Sequence, residues 1–174
     1  MGERDQSHLA IEDVIRIAKE TALKRGGHLP TVIVEGSKKS GILVLEEFPK
    51  THEEKVYRMF SMGLVMAKSD EVGDLTQIYF ISEGWMSNVD EGKLINTMPS
   101  LDPNRKEVLI VSTISVEAHQ SGIAIYEMIR NPNGKLIELQ ELSPPITDGE
   151  GNVESPLLDA FVDGFGLDRK VRIN

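Results

Sequence analysis

Four large apolar residues in succession, Ile78, Tyr79, Phe80 and Ile81, constrain the fold of this chain more than any other feature. They lie in a strand-like segment over residues 75–83, and successive side chains of a strand point to opposite faces of a sheet. A strand that is apolar on both faces is typical of the centre of a sheet covered on both sides. The pattern therefore predicts a central strand, with a partner chain as a candidate for one of the two covers.

Two amphipathic helices precede this strand. The apolar spacing predicts the first over residues 7–25, with Ser7 as its N-cap and Gly26 and Gly27 at its end. The second begins at Thr51, because Thr51 and Glu54 have the spacing of a capping box, and it extends to about Ser69. Both helices have an apolar stripe that must pack on another surface.

The other segments are mainly strands that follow one another directly. We predict strands over residues 31–35, 41–45, 108–116, 123–129 and 136–139, and a short last helix that starts at Pro156 and ends at Gly164 and Gly166. The order is therefore α-β-β-α-β-β-β-β-α. Since the helices do not alternate with the strands, a doubly wound parallel sheet is excluded. We expect an α+β fold in two layers, with a mostly antiparallel sheet of about five to six strands and two long helices on one face.

The acidic residues concentrate near the carboxyl end of the sequence. The chain of 174 residues has a net charge of −9, and eight acidic residues but no lysine or arginine occur between residues 138 and 168. We therefore divide the chain into a single α+β domain over residues 1–141 and an acidic C-terminal extension over residues 142–174. Its short helix is expected to pack on the domain or on a neighbouring subunit. The acidic segment is expected to be a solvated cover, with a basic partner as the alternative.

Composition and motifs exclude several classes of function. An acidic chain without a basic stripe does not suit nucleic acid, and no apolar run approaches the roughly 20 residues that span a bilayer. The chain has no cysteine, which excludes thiol chemistry and disulfides and fits a cytoplasmic location. Phosphate-binding glycine loops, zinc-binding histidine pairs and nucleophile elbows are missing as well. We therefore expect no cofactor and no metal, and we assign no catalytic residue.

Two segments resemble ligand loops only superficially. Residues 36–41 contain two lysines and two serines, but they join two strands and lead to no helix N-terminus, so we predict a solvated hairpin tip. Residues 148–152 resemble the start of a calcium loop. The sixth position is Val153 instead of glycine and the twelfth is Asp159 instead of glutamate, which favours a plain turn.

The only tryptophan marks the candidate binding site. Trp85 stands where the central strand enters a loop of about 20 residues, and tryptophan is frequent in binding sites because it combines a large apolar ring with an N–H donor. The candidate binding residues are Glu83, Trp85, Met86, Arg105 and His119. The alternative is that Trp85 only closes the end of the core.

Methionines extend the apolar surface of the second helix. Met62 and Met66 lie off its main apolar face, so this helix is expected to be buried on two sides, by another layer or, as we favour, by a second copy of the chain. We therefore expect a non-enzymatic binding or assembly module that self-associates, with a protein or a small molecule as a further ligand. The alternative is a small hydrolase or lyase that uses a carboxylate and His119 in a cleft near Trp85.

Overall fold

The fold is known from a computed structural model that describes residues 9–87, 101–148 and 155–172. Its elements follow the predicted order. They are α1 (Ile11–Arg25), β1 (Thr31–Gly36), β2 (Ser40–Val44), α2 (His52–Ser69), β3 (Leu75–Met86), β4 (Lys106–Ser115), β5 (Gln120–Arg130), β6 (Leu136–Asp148) and α3 (Pro156–Arg172). The segment resembling a calcium loop lies, apart from Asp148, outside the described residues.

The six strands form one antiparallel sheet in the order β2-β1-β3-β4-β5-β6. This confirms the predicted α+β class and the antiparallel sheet. β3 is an inner strand, as its apolar run predicts, and Ile81 pairs with Thr31 of β1 on one side and with Val111 of β4 on the other. Among the described residues, β2 and β6 are the two edge strands.

The alternation of side chains along β3 divides the core into two parts. Tyr79 and Ile81 pack with Val14, Ala18 and other residues of α1 in a first core. Ile78 and Phe80 face the other way and belong to a second core built with α2 and α3. Its buried members are Val32, Val34, Met59, Ala67, Val72, Leu75, Ile78, Phe80, Leu158, Ala160, Phe161 and Phe165. Both faces of β3 are therefore covered by helices of the same chain, and no partner chain is needed there.

The predicted two-layer arrangement is wrong. α1 lies on one face of the sheet, whereas α2 and α3 lie on the other, so the fold has three layers. An apolar stripe shows that a helix packs on a sheet, but it does not show on which face. Because β3 is apolar on both faces, each face could have received either long helix.

The start of a helix is predicted correctly where a side chain caps it, as at Thr51 of α2. The N–H of Glu54 donates to the Thr51 hydroxyl at 3.3 Å, and this hydroxyl donates to the Glu54 carboxylate at 2.8 Å, so α2 begins and ends as predicted. By contrast, α1 begins at Ile11 after Ala10, which offers no side-chain cap. The predicted cap, Ser7, lies outside the described residues.

The last strand and the last helix are longer than predicted. β6 continues through Pro144 and Pro145 to Asp148, since on an edge strand a proline need not interrupt a ladder. The predicted boundary at residue 142 therefore falls inside a strand. α3 continues through Gly164 and Gly166 and packs on α2 of its own chain.

The sequence predicts that α3 ends at Gly164, but the helix continues through this residue. The glycine there allows the backbones of α3 and α2 to come into contact. A Cβ at Gly164 would lie 2.1 Å from the carbonyl oxygen of Phe60 in α2. In the same way, a Cβ at Gly63 of α2 would lie 2.1 Å from the carbonyl oxygen of Phe161. These reciprocal contacts are too short for any side chain, so both positions require glycine.

We expect Gly63→Ala and Gly164→Ala each to lower the free energy of unfolding by about 2–3 kcal/mol, because the two helices must move apart and lose packing. Gly166→Ala is the matched control. A Cβ at Gly166 meets nothing within 4 Å, so alanine there should raise stability by up to about 1 kcal/mol through its helix propensity. Urea unfolding of the three variants measures the difference, and equal effects at Gly164 and Gly166 would contradict the close contact.

Candidate functional site

The end of β3 places Trp85 at the surface, next to Arg105. Glu83 and Trp85 continue the alternation of Tyr79 and Ile81, so they lie on the face that carries α1. Trp85 is 46% exposed, and the guanidinium carbon of Arg105 lies 4.3 Å from its ring centroid. This is a cation–π contact, and it joins two of the residues that the sequence singled out.

A bidentate ion pair lies beside this stack. Arg130 of β5 donates from Nε and Nη2 to the two carboxylate oxygens of Glu107, at 2.7 and 2.8 Å. Arg130 also donates from Nη1 to the carbonyl oxygen of Gly26, at 3.0 Å, where the dipole of α1 has its negative end. The hydrogen bond with Glu107 raises the pKa of Arg130 above its ordinary value.

Glu83 holds the connection between α1 and β1. Its Oε1 accepts the backbone N–H of His28, and a Cβ at Gly27 would lie only 2.8 Å from the same oxygen. The backbone therefore passes directly over the carboxylate. This contact gives Glu83 a structural role that its position in the sequence did not reveal.

The opposite end of α1 is held in a similar way. The buried carboxylate of Glu35 accepts the N–H of Leu9 at 2.8 Å, and the hydroxyl of Tyr79 donates to the carbonyl oxygen of the same residue. Burial raises the pKa of the Tyr79 hydroxyl, and the negative charge of Glu35 adds to the rise. Polar side chains of the sheet thus hold the backbone before and after α1.

The other two candidate binding residues, Met86 and His119, do not contribute to the surface around Trp85. Met86 follows Trp85 in β3, so it points to the other face of the sheet, where it is partly buried. His119 lies exposed in the turn between β4 and β5, with φ at 49°. Glu83 pairs with Leu109, and the His119 end of β4 at Ser115 is about 20 Å further along at about 3.3 Å per residue. The cleft that the hydrolase or lyase alternative requires would have to bridge this distance.

A groove between β2 and α2 lies on the other face, and it does not include Trp85. Its volume is about 600 Å³, and its lining is mostly apolar, with Ile42, Leu43, Leu45, Met62, Val65 and Met66. Lys39 and Glu71 form an exposed ion pair at its rim, which lowers the pKa of Glu71. Sequence reasoning detected this site only through Met62 and Met66.

The strand beside the groove is an open edge. Within the described residues, β2 pairs with β1 alone, and Ser40–Val44 contains no charged residue. Ile42 is 68% exposed on the α1 side of this strand, and Val65 is 67% exposed on α2, on the other side of the sheet. Apolar side chains with this exposure, next to unpaired strand backbone, form a surface on which another chain can add.

Comparison with known proteins identifies no relative: no family model, curated protein or solved structure matches this chain. In residues 9–87, 101–148 and 155–172, no helix is long and apolar enough to cross a membrane. The same part of the chain contains no group of three or more histidine, aspartate or glutamate side chains that could hold a metal ion.

We expect Arg130→Met to lower the free energy of unfolding by about 2 kcal/mol, because the half-buried carboxylate of Glu107 loses its partner and the end of α1 loses a cation. Arg16→Met is the matched control. Arg16 also forms ion pairs, with Asp13 and Glu20, but these are exposed, so its replacement should cost less than about 0.5 kcal/mol. Thermal or urea unfolding compares the two variants. Equal losses would show that the site near Arg130 is not important for holding α1.

Proposed function

We propose that this protein is a non-enzymatic binding and assembly module that self-associates through β2 and the exposed side of α2. The observation that carries the proposal is the uncharged, exposed edge strand β2 beside the apolar groove. A cytoplasmic location is part of the proposal and fits a chain without cysteine.

The contrast between the two edges of the sheet supports this choice of surface. Edge strands of proteins that stay apart usually carry charges or prolines, which oppose pairing with another sheet. β6 has both, with Glu138, Glu141 and Asp148 together with Pro144 and Pro145. β2 has neither, and it is the more apolar of the two, so its short length of five residues is the protection it has. The stronger protection of β6 favours β2 as the edge through which the sheet pairs.

A second copy of the chain is the occupant that the surface suits best. A two-fold dimer uses the same patch on both subunits, so that patch must be compatible with itself. The side chains of β2 are neutral, and the methionines of the groove can adapt to different neighbours. Ile42 and Val44 would then be buried on the α1 side of the sheet and Val65 covered on the α2 side, which provides the hydrophobic contribution to association.

Replacement of Ile42 tests this proposal. We expect the unmodified chain to show a mass that rises with concentration toward that of a dimer in sedimentation equilibrium. Ile42→Lys should remain monomeric, because a lysine ammonium cannot be buried without a partner. Ile137→Lys is the matched control, since Ile137 is 54% exposed on the other edge strand, and it should associate like the unmodified chain.

Two results would contradict the proposal. One is a strict monomer at every concentration of the unmodified chain. The other is an equal loss of association in both lysine variants, which would point to a general effect of added charge. Circular dichroism of each variant shows whether the fold is kept.

A further inference from the structure

We propose that two copies pair antiparallel along β2, with Ile42 on the two-fold axis, so that two six-stranded sheets join into one of twelve strands. This inference rests on the proposed self-association and specifies how the two surfaces meet. Ile42 is the central residue of Ser40–Val44, so this register allows all five residues of each strand to pair.

Charges on either side of β2 complement each other in this arrangement. Lys38 and Lys39 precede the strand, and Glu46 and Glu47 follow it shortly after. Antiparallel pairing about Ile42 brings Lys38 and Lys39, in the bend before β2, to the end of the paired strands where Glu46 of the partner subunit and Glu47 of the partner subunit form the bend after its β2. The two-fold axis repeats this arrangement, so opposite charges meet at both ends of the paired strands. Parallel pairing would instead bring lysine to lysine and glutamate to glutamate.

Both lysines are held near the start of β2 by ion pairs with residues that follow α2. Lys38 binds Asp70 at 2.7 Å and Lys39 binds Glu71 at 2.5 Å, which holds both ammonium groups beside the start of β2. Both pairs are more than half exposed, so they contribute little to stability, and each ammonium keeps at least one proton for a further acceptor.

The side chains of β2 also match across the axis. Ile42 pairs with Ile33 of the first core, so it points to the α1 side of the sheet, as does Val44. Leu43 pairs with Val32 and points to the α2 side, into the groove. A two-fold axis perpendicular to the sheet places the α1 sides of both copies on the same side of the joined sheet, because directly opposite residues of antiparallel strands point to the same side. Ile42 and Val44 of both copies therefore form one apolar row.

Exchange of the flanking charges tests the inference. The variant K38E/K39E has glutamates at both ends of β2, and E46K/E47K has lysines at both ends. We expect each variant alone to dimerise at least about tenfold more weakly than the unmodified chain, because like charges then meet at both ends of the paired strands. An equimolar mixture of the two should form a heterodimer with nearly the original affinity, because opposite charges meet again. A mass tag on one variant identifies the heterodimer in sedimentation or native mass spectrometry.

The outcomes separate this inference from the proposed function. If the unmodified chain dimerises and Ile42→Lys does not, while the mixture shows no preference for the heterodimer, the surface is correct and the antiparallel register is wrong. If Ile42→Lys dimerises as well as the unmodified chain, both proposals fail. Restored pairing in the mixture also excludes misfolding as the reason for the loss in the single variants.

A single cysteine tests the position of the axis directly, because the chain has none of its own. In an antiparallel pair, directly opposite Cβ atoms lie about 4.5–5.5 Å apart, close enough for a disulfide after a small adjustment. Ile42→Cys should therefore form a covalent dimer rapidly under mild oxidation, whereas Ile137→Cys should do so slowly or not at all. A non-covalent Ile42→Cys dimer that does not cross-link faster than the control would overturn the register.

Discussion

The burial of β3 on both faces is the constraint on which the rest of the structure depends. Tyr79 and Ile81 need a cover on one side of the sheet, and Ile78 and Phe80 need one on the other. Among the residues that the structure describes, α1 is the one helix on the first face, and α2 and α3 cover the second. Because α1 packs over β4 and β6, it does not reach the β2 end of that face, and Ile42 and Val44 remain exposed there. The open edge is thus a consequence of how the two cores are covered.

Polar contacts determine where α1 lies as much as its apolar stripe does. Glu35 and Tyr79 hold the backbone at Leu9, and Glu83 and Arg130 hold it at Gly26 and His28. Hydrogen bonds to charged groups require defined distances and angles, so they add directional constraints to the packing of the apolar stripe. Residues at the ends of strands that first suggest a ligand site can therefore serve to hold a helix in place.

The sequence predicted those features that depend on local chemistry. The capping pair Thr51 and Glu54 located the start of α2, and the apolar run from Ile78 identified an inner strand. The face that each helix covers could not be predicted, because it depends on contacts between distant segments. The sequence predicts a helix end at Gly164 for the same reason, since its close neighbour, Phe60, is far away in the sequence. Of the candidate site, the sequence named Trp85 and Arg105 but did not predict their contact, and the groove became visible only once β2 and α2 were placed together.

The long separation in sequence between β3 and α3 affects how the protein can fold during synthesis. Leu158, Phe161 and Phe165 complete the second core, so Ile78 and Phe80 lack part of their cover until α3 has left the ribosome. About 70 residues separate the end of β3 from the start of α3, which takes several seconds at roughly 5–20 residues per second. During that interval the nascent chain presents an apolar sheet face next to an uncharged edge strand. Translation speed and chaperone binding over this stretch therefore bear directly on the yield of folded protein.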